Sequence, residues 1–244
     1  MTARASEVDI VVPVLNEEAC IDEFYERVAL LGLADSLIFV DNASVDGTVE
    51  RIRRHCRARL ICHERNEGYG ASVRHGIESG AGQAVVIIDA DLEYPPESIP
   101  ALLDALREHE VVYCSRFLGP HPPDMPLFRR LGNRLMSGIY NALYGQRVTD
   151  LYTGMKGFRR DAFPVTALVK DGFEHGAEIA ALISFSGRRI HEIPVDYVPR
   201  QKGASKMRHV PEALKLAFYV LAYRLRGSRG DGNGRLRSRR SRLP

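Results

Sequence analysis

The strongest constraint on this chain is an alternation. Up to residue 115, short runs rich in Val and Ile recur: Asp9–Val12, Leu37–Val40, Arg59–His63, Ala84–Ile88 and Val111–Cys114. Continuous apolar runs of this length suit strands buried on both faces. Between them lie polar segments with apolar residues at helical spacing. Ile21, Phe24, Val28 and Leu31 form one stripe, and Ile99, Leu102, Leu103 and Leu106 another. Asp46-Gly47-Thr48 opens a third helix, with Asp46 placed to cap it. The pattern predicts an α/β domain, a mostly parallel central sheet with helices on both faces. Sheets of that kind bind ligands at the carboxyl ends of their strands.

After Phe117 the rhythm breaks. Gly119-Pro120-His121-Pro122-Pro123 reads as loop, and a helix follows over Phe128–Tyr144 with Leu131, Leu135, Ile139 and Leu143 on one side. Met155–Phe158 and Ile190–Tyr197 read as strands, with a helix over Gly176–Ser186 between them. Pro199–Lys206 is a polar loop. A final helix over His209–Arg226 carries the stripe Val210, Leu214, Phe218, Leu221 and Leu225. Residues 1–226 thus make one domain, and 227–244, rich in Gly, Ser and Arg, a disordered tail.

The tail holds six arginines and one aspartate, so the overall charge of +3 leaves the other 226 residues at −2. A nucleic-acid reading of the whole chain has no support. Four cysteines without a C-x-x-C pair read as reduced thiols of a cytoplasmic protein. The longest apolar stretch, the eight residues Leu216–Tyr223, falls short of the roughly 18 that a membrane span needs, and the polar N-terminus carries no signal peptide. An amphipathic helix followed by a polybasic tail has the make-up of a peripheral contact with an anionic membrane surface, here the inner face; the bland reading is a helix packed on the domain and a solubilising tail.

The chemistry concentrates at Val85-Val86-Ile87-Ile88-Asp89-Ala90-Asp91. A strand ending in acids at i and i+2 aims both carboxylates the same way. Such a pair repels unless a cation compensates it, and oxygen-only ligands suit Mg²⁺ or Mn²⁺. Glu93 offers a third oxygen. Read blandly, these acids cap the helix after Pro95-Pro96. A phosphate-rich ligand also needs basic residues, and Arg116, Arg130, Arg200 and Lys206 are the candidates, Arg gripping phosphate bidentately and Lys as a point charge. Gly68-Tyr69-Gly70 is no dinucleotide fingerprint, because it follows the third strand rather than the first. Turn and helix entry suit these glycines better than phosphate contact.

Four motifs stand in order: Pro13-Val14-Leu15-Asn16-Glu17, Asp41-Asn42-Ala43-Ser44-Val45-Asp46-Gly47-Thr48, Asn66-Glu67-Gly68-Tyr69-Gly70 and Asp89-Ala90-Asp91. In this the chain resembles the family 2 glycosyltransferases of GT-A fold, with their P-x-x-N-E turn, D-(D/N)-x-S-x-D-G-T segment, N-x-G-x-G run and D-A-D. It is most similar to the polyprenyl-phosphate sugar transferases of the dolichol-phosphate mannose synthase type. The resemblance covers about Val8 to Arg226. It implies a nucleotide pocket lined by Pro13, Leu15 and Glu17, with Asp41 near base or ribose. It also implies that Asp89, Ala90 and Asp91 lie at the ribose and a metal-bound diphosphate. Arg116, Arg200 and Lys206 would meet donor phosphates, Arg130 and Lys206 an acceptor phosphate, and Asp150, in a D-x-x-T-G run, the acceptor or sugar. Glu93 stands where the family often has Gln, and Phe173–Glu178 departs from its acceptor-side pattern.

The implied reaction is inverting transfer of a hexose from a GDP-mannose or UDP-glucose type of donor to dolichyl or undecaprenyl phosphate. A soluble hydroxyl acceptor is the alternative. It would need a carboxylate base, with Asp150, Glu174 and Glu178 the suspects. A binding module without turnover and a nucleotidyltransferase fit less well, the latter because Pro13–Glu18 is acidic and has no Gly.

Overall fold

The computed structural model describes residues 7–119, 125–199, 215 and 217–225. Its seven strands are β1 (Val8–Val14), β2 (Leu37–Asp41), β3 (Arg59–Cys62), β4 (Ala84–Ile88), β5 (Val111–Ser115), β6 (Met155–Arg159) and β7 (His191–Pro194). They form one sheet in the order β3-β2-β1-β4-β6-β5-β7. All pairings are parallel except those of β6, which runs antiparallel between β4 and β5. Among the described residues six complete helices surround it, with a further helical segment at 217–225: α1 (Glu18–Leu30), α2 (Thr48–Arg53), α3 (Tyr69–Ser79), α4 (Ile99–Glu108), α5 (Leu127–Tyr144) and α6 (His175–Phe185).

Because side chains alternate across a strand, the sheet separates two cores. Ile10, Val12, Val14, Val86 and Ile88 pack with Phe24 and Val28 of α1 and Leu102 of α4. Val11, Val85 and Ile87 face the other way, onto Val73 and Ile77 of α3, Tyr140 of α5 and Ile179 of α6. Gly76 lets α3 close on β1, since a Cβ there would run into Val11 Cγ1.

Strand order reverses at β1, which pairs with β2 on one side and β4 on the other. The β1–β4 ladder stops at Val11↔Ile87, while the β1–β2 ladder continues to Val14↔Asp41. Pro13 is tolerated in a central strand because it lies past the last β4 pair, where a missing N–H breaks no bond on that side. The crevice this opens is the switch point of the sheet.

The expected elements are present with shifted ends. β7 is four residues rather than the eight of Ile190–Tyr197, an edge strand in which Pro194 is tolerated because its missing N–H faces the open edge, while the Val195 N–H still donates to the Ser115 carbonyl at 3.1 Å. The stripe assigned to α5 is split: Leu131 and Leu135 are exposed, while Ile139 and Leu143 pack on the core. In the terminal helical segment, residues 217–225, the described part of the expected stripe (Phe218, Leu221 and Leu225) faces out. Val220 and Tyr219 face in, and the Tyr144 hydroxyl donates to the Val220 carbonyl at 2.9 Å. Among the described residues no helix is long and apolar enough to cross a membrane. Residues 227–244 and the start of the final helix lie outside the described residues.

Candidate functional site

The carboxyl ends of β1, β2, β4 and β5 converge with the turn that enters β6. The three non-glycine residues with positive φ among those described are Asn16 (51°), Ala43 (65°) and Leu92 (64°), one after each of β1, β2 and β4. Left-handed backbone costs free energy for such residues, and its concentration at one edge marks where geometry has been held against that cost.

The first two turns are laced together. The Asn16 N–H donates to Ser44 Oγ, the Val45 N–H to Asn16 Oδ1, and the Glu17 N–H to Thr48 Oγ1, each at 2.8 Å. Asp46 accepts the Thr48 N–H at the start of α2, as expected of a capping residue, although Gly47 holds the cap position itself. Burial opposes its ionisation, but bonds from Thr48 and backbone N–H groups hold its pKa below the usual range. Pro13 and Glu17 are buried and Leu15 is half-buried along this wall. Asp41 is also buried. Its Oδ2 accepts the Ser44 N–H at 3.0 Å, while Oδ1, also buried, meets no donor among the described residues. A buried acceptor of that kind suits a ligand N–H or hydroxyl.

Asp89 and Asp91 follow β4 directly, with Ala90 buried between them. Burial and the neighbouring Asp91 carboxylate push the Asp89 pKa up; a 2.5 Å hydrogen bond from the Tyr69 hydroxyl and the Lys156 charge pull it back. Excess negative charge at this turn is what a divalent cation would relieve, so the residues fit one. Asp91 Oδ1 accepts the Glu93 N–H at 3.1 Å, which closes the turn. Gly154 packs against Asp89, where a Cβ would lie 2.7 Å from Oδ2.

Arg116 and Asp150 form a bidentate pair. Arg116 Nε and Nη2 donate to Asp150 Oδ2 and Oδ1 at 2.7 and 2.8 Å, and Asn133 Nδ2 donates to Oδ1 at 3.0 Å. Asp150 has no exposed side chain, and that of Arg116 is 13% exposed. The rings of Tyr94, Tyr197 and Phe117 lie 5.6–5.8 Å from the guanidinium. Arg116 thus reaches the site with its charge already matched. Arg130 lies in the first turns of α5, its buried Nε without an acceptor among the described residues. Arg200 and Lys206 fall outside the described residues.

Two further residues of the site escaped the sequence reading. Tyr69 opens α3, where Gly68 (φ +100°) and Gly70 let the helix start press on the carbonyls of Asp171 and Lys170. The glycines therefore serve helix entry, as expected. Lys156 on β6 is buried and pushed down to about 8 by desolvation, with Asp89 and Asp150 partly restoring it. The signal was present, a lysine between apolar residues in the interior of a strand. The unfolded chain takes up this proton near 10.5 and the folded chain only near 8, so stability rises with pH between them and is lost as pH falls through 8. Wild type should gain about 2 kcal/mol over Lys156→Met between pH 7.5 and 10, read from urea unfolding.

Residues 9–165 match the model of the glycosyl transferase family 2, and the chain belongs to that family. The chain is 38% identical over 228 residues to the uncharacterized glycosyltransferase YkcC of Bacillus subtilis, covering 88% of this chain and 68% of that one. It is 27% identical to the dolichol-phosphate mannosyltransferase of Pyrococcus furiosus over 82% of this chain and 59% of that one. It is also 27% identical to the low-salt glycan biosynthesis hexosyltransferase Agl6 of Haloferax volcanii, over 89% of this chain. The chain spans just over half the length of the last of these, 54%. The glucosyl-3-phosphoglycerate synthase of Mycobacterium tuberculosis, solved with uridine diphosphate, superposes with a TM-score of 0.67 at 22% identity, covering 91% of this chain and 80% of that one. At that identity the likeness is one of fold, the GT-A fold.

Proposed function

We propose that the chain is a divalent-metal-dependent, inverting glycosyltransferase that moves a hexose from a nucleoside-diphosphate sugar to a polyprenyl phosphate. The observation that carries the reading is the pair Asp89 and Asp91 at the switch point, with an Asp41 oxygen left open to a ligand at the same sheet edge, across β1. Neighbours of the same fold were crystallised with Mn²⁺ or Mg²⁺, which agrees with the oxygen-rich turn.

Asp91, with Asp89 and Glu93 beside it, would hold Mg²⁺ or Mn²⁺, which when bound supplies positive charge to the departing diphosphate. Pro13, Leu15, Glu17 and Asp41 would seat the nucleotide, with Asp41 Oδ1 accepting from base or ribose. Tyr69 donates to Asp89 and fixes the position of that carboxylate. Asp150 orients Arg116, and Arg116, Arg200 and Lys206 would steady donor phosphates. Arg130 and Lys206 would receive the acceptor phosphate. An acceptor oxygen then bonds to the anomeric carbon as the bond from that carbon to the diphosphate oxygen breaks on the opposite face.

The engagement of two of the three candidate bases supports a phosphate acceptor over a hydroxyl. A hydroxyl needs a base, whereas a phosphate monoester, with a second pKa of about 6, is mostly dianionic at pH 7. Asp150 is engaged by Arg116 and Asn133. Glu178 accepts the Val169 and Lys170 N–H groups and the Tyr223 hydroxyl. Of the three carboxylates suited to a base, only Glu174 has no such set of bonds among the described residues. A lipid tail also has a surface to meet: Leu127, Phe128, Leu131 and Leu135 are exposed on α5 among Arg129, Arg130 and Arg134. Anionic lipid would attract such a face.

The test is a donor panel with Mg²⁺ or Mn²⁺, following nucleotide release with and without a short-chain polyprenyl phosphate. Release that depends on the lipid phosphate is expected. Equal release with a soluble hydroxyl acceptor would replace this acceptor, and no release with any donor would overturn the reading.

A further inference from the structure

The end of β3 carries a cluster that the proposed transfer does not use. His63 follows β3, Glu67 lies in the loop after it, and His75 sits in the second turn of α3. Each offers one ligand atom, and the three atoms lie within 4.8 Å of one another. His63 Nε2 and His75 Nδ1 are 2.9 Å apart, and His75 Nδ1 is 3.9 Å from Glu67 Oε2.

The hydrogen bonds determine which way the His63 lone pair points. The Glu67 backbone N–H, a donor only, lies 2.8 Å from Asn42 Oδ1, while Asn42 Nδ2 donates to Asn66 Oδ1 at 2.9 Å. Both bonds put oxygen, not nitrogen, at the Oδ1 position. His63 Nδ1, 3.1 Å from that oxygen, must therefore carry the proton and donate it. The Nε2 lone pair is then left facing His75 and Glu67. An imidazole fixed by its far N–H on a side-chain carbonyl is the usual outer support of a metal-ligating histidine.

We infer that His63 Nε2, His75 Nδ1 and the Glu67 carboxylate form a site for one borderline transition-metal ion of the Zn²⁺ kind. This site is distinct from the oxygen-only turn at Asp89 and Asp91. Two imidazoles and a carboxylate suit zinc and leave a fourth position for water. Magnesium prefers oxygen ligands and does not compete well for nitrogen. Zn–N bonds of about 2.0–2.1 Å put tetrahedral ligands about 3.3 Å apart, so the imidazoles need only separate by a few tenths of an ångström, while the exposed Glu67 carboxylate swings in by about 1 Å. Without metal, His75 Nδ1–H donates to His63 Nε2. On binding, that proton moves to His75 Nε2 and the Nδ1 lone pair becomes the ligand. The ion would tie the end of β3 to α3. Through Asn42 it would also stiffen the loop that begins at Asp41, on the side where the nucleotide is proposed to bind.

The experiment uses the full chain with Cys56 and Cys62, both exposed, replaced by serine so that thiols do not compete. Zn²⁺ alone is titrated against a chelating dye in millimolar Mg²⁺. One Zn²⁺ per chain is expected, together with a Tm rise of about 5–10 °C at a hundredfold excess over Kd. Asp91→Asn should bind it equally well. His63→Ala and His75→Ala should each weaken binding by about 100-fold, and Asn42→Ala by about 10-fold. His75→Gln keeps a donor for His63 and so guards against misfolding; it too should lose the zinc. Co²⁺ should give the intense visible bands of a four-coordinate site. Zinc that binds no tighter to this protein than to its His63→Ala/His75→Ala form would overturn the assignment, as would loss with Asp91→Asn.

Discussion

Asp91→Asn is expected to lower turnover by about a thousandfold, the scale of removing roughly 4 kcal/mol of transition-state charge stabilisation. Stability should move the other way. Burial and the Asp91 charge together hold Asp89 above its usual range, so neutralising Asp91 lets Asp89 ionise more easily. The variant should unfold at the same temperature as wild type or slightly higher. Activity lost without stability lost is the signature of an acid kept for its ligand. Kinetics over a Mn²⁺ titration, paired with thermal unfolding, read both. Normal turnover would remove the metal assignment, and a Tm drop matching the activity loss would make Asp91 a structural cap.

Asp150→Ala should behave in the opposite way. It strands a largely buried guanidinium that now has two charge-assisted bonds and aromatic rings around it. Breaking one partner from such a pair costs about 3–5 kcal/mol, or a Tm fall of about 6–20 °C in a chain of this size. The loss should appear with no substrate present. Replacing both residues by leucine should restore much of the stability and none of the activity, since an apolar pair needs no counter-charge. An Asp150→Ala protein with unchanged Tm and tighter donor binding would show instead that Arg116 is held back by Asp150 rather than positioned by it.

Much of the architecture could be read from residue order. Runs such as Val85–Ile88 are too short for helices and too apolar for an exposed strand, so a sheet covered on both faces follows. The turn at Asp89-Ala90-Asp91 was legible for the same reason, since acids at the end of a buried strand must surface at its carboxyl edge. Periodicity was a poorer guide to which side of a helix is covered. Leu131, Leu135, Phe218, Leu221 and Leu225 have helical spacing, yet they face outward because neighbouring elements took the other face.

The pairing of groups far apart in the chain lay beyond any pattern. Tyr69 reaches Asp89 across 20 positions and Arg116 reaches Asp150 across 34. His63 meets His75 only because β3 ends where α3 passes. Local spacing encodes which segments bury their apolar atoms, because that preference acts on each residue and its near neighbours. Whether a buried charge meets a counter-charge, and whether an arginine arrives free or already matched, depends on distances that exist only after the sheet has closed. Residue order therefore determined the layers and the acidic turn. The compensation of charge within the crevice, the Arg116–Asp150 pair above all, was settled by packing.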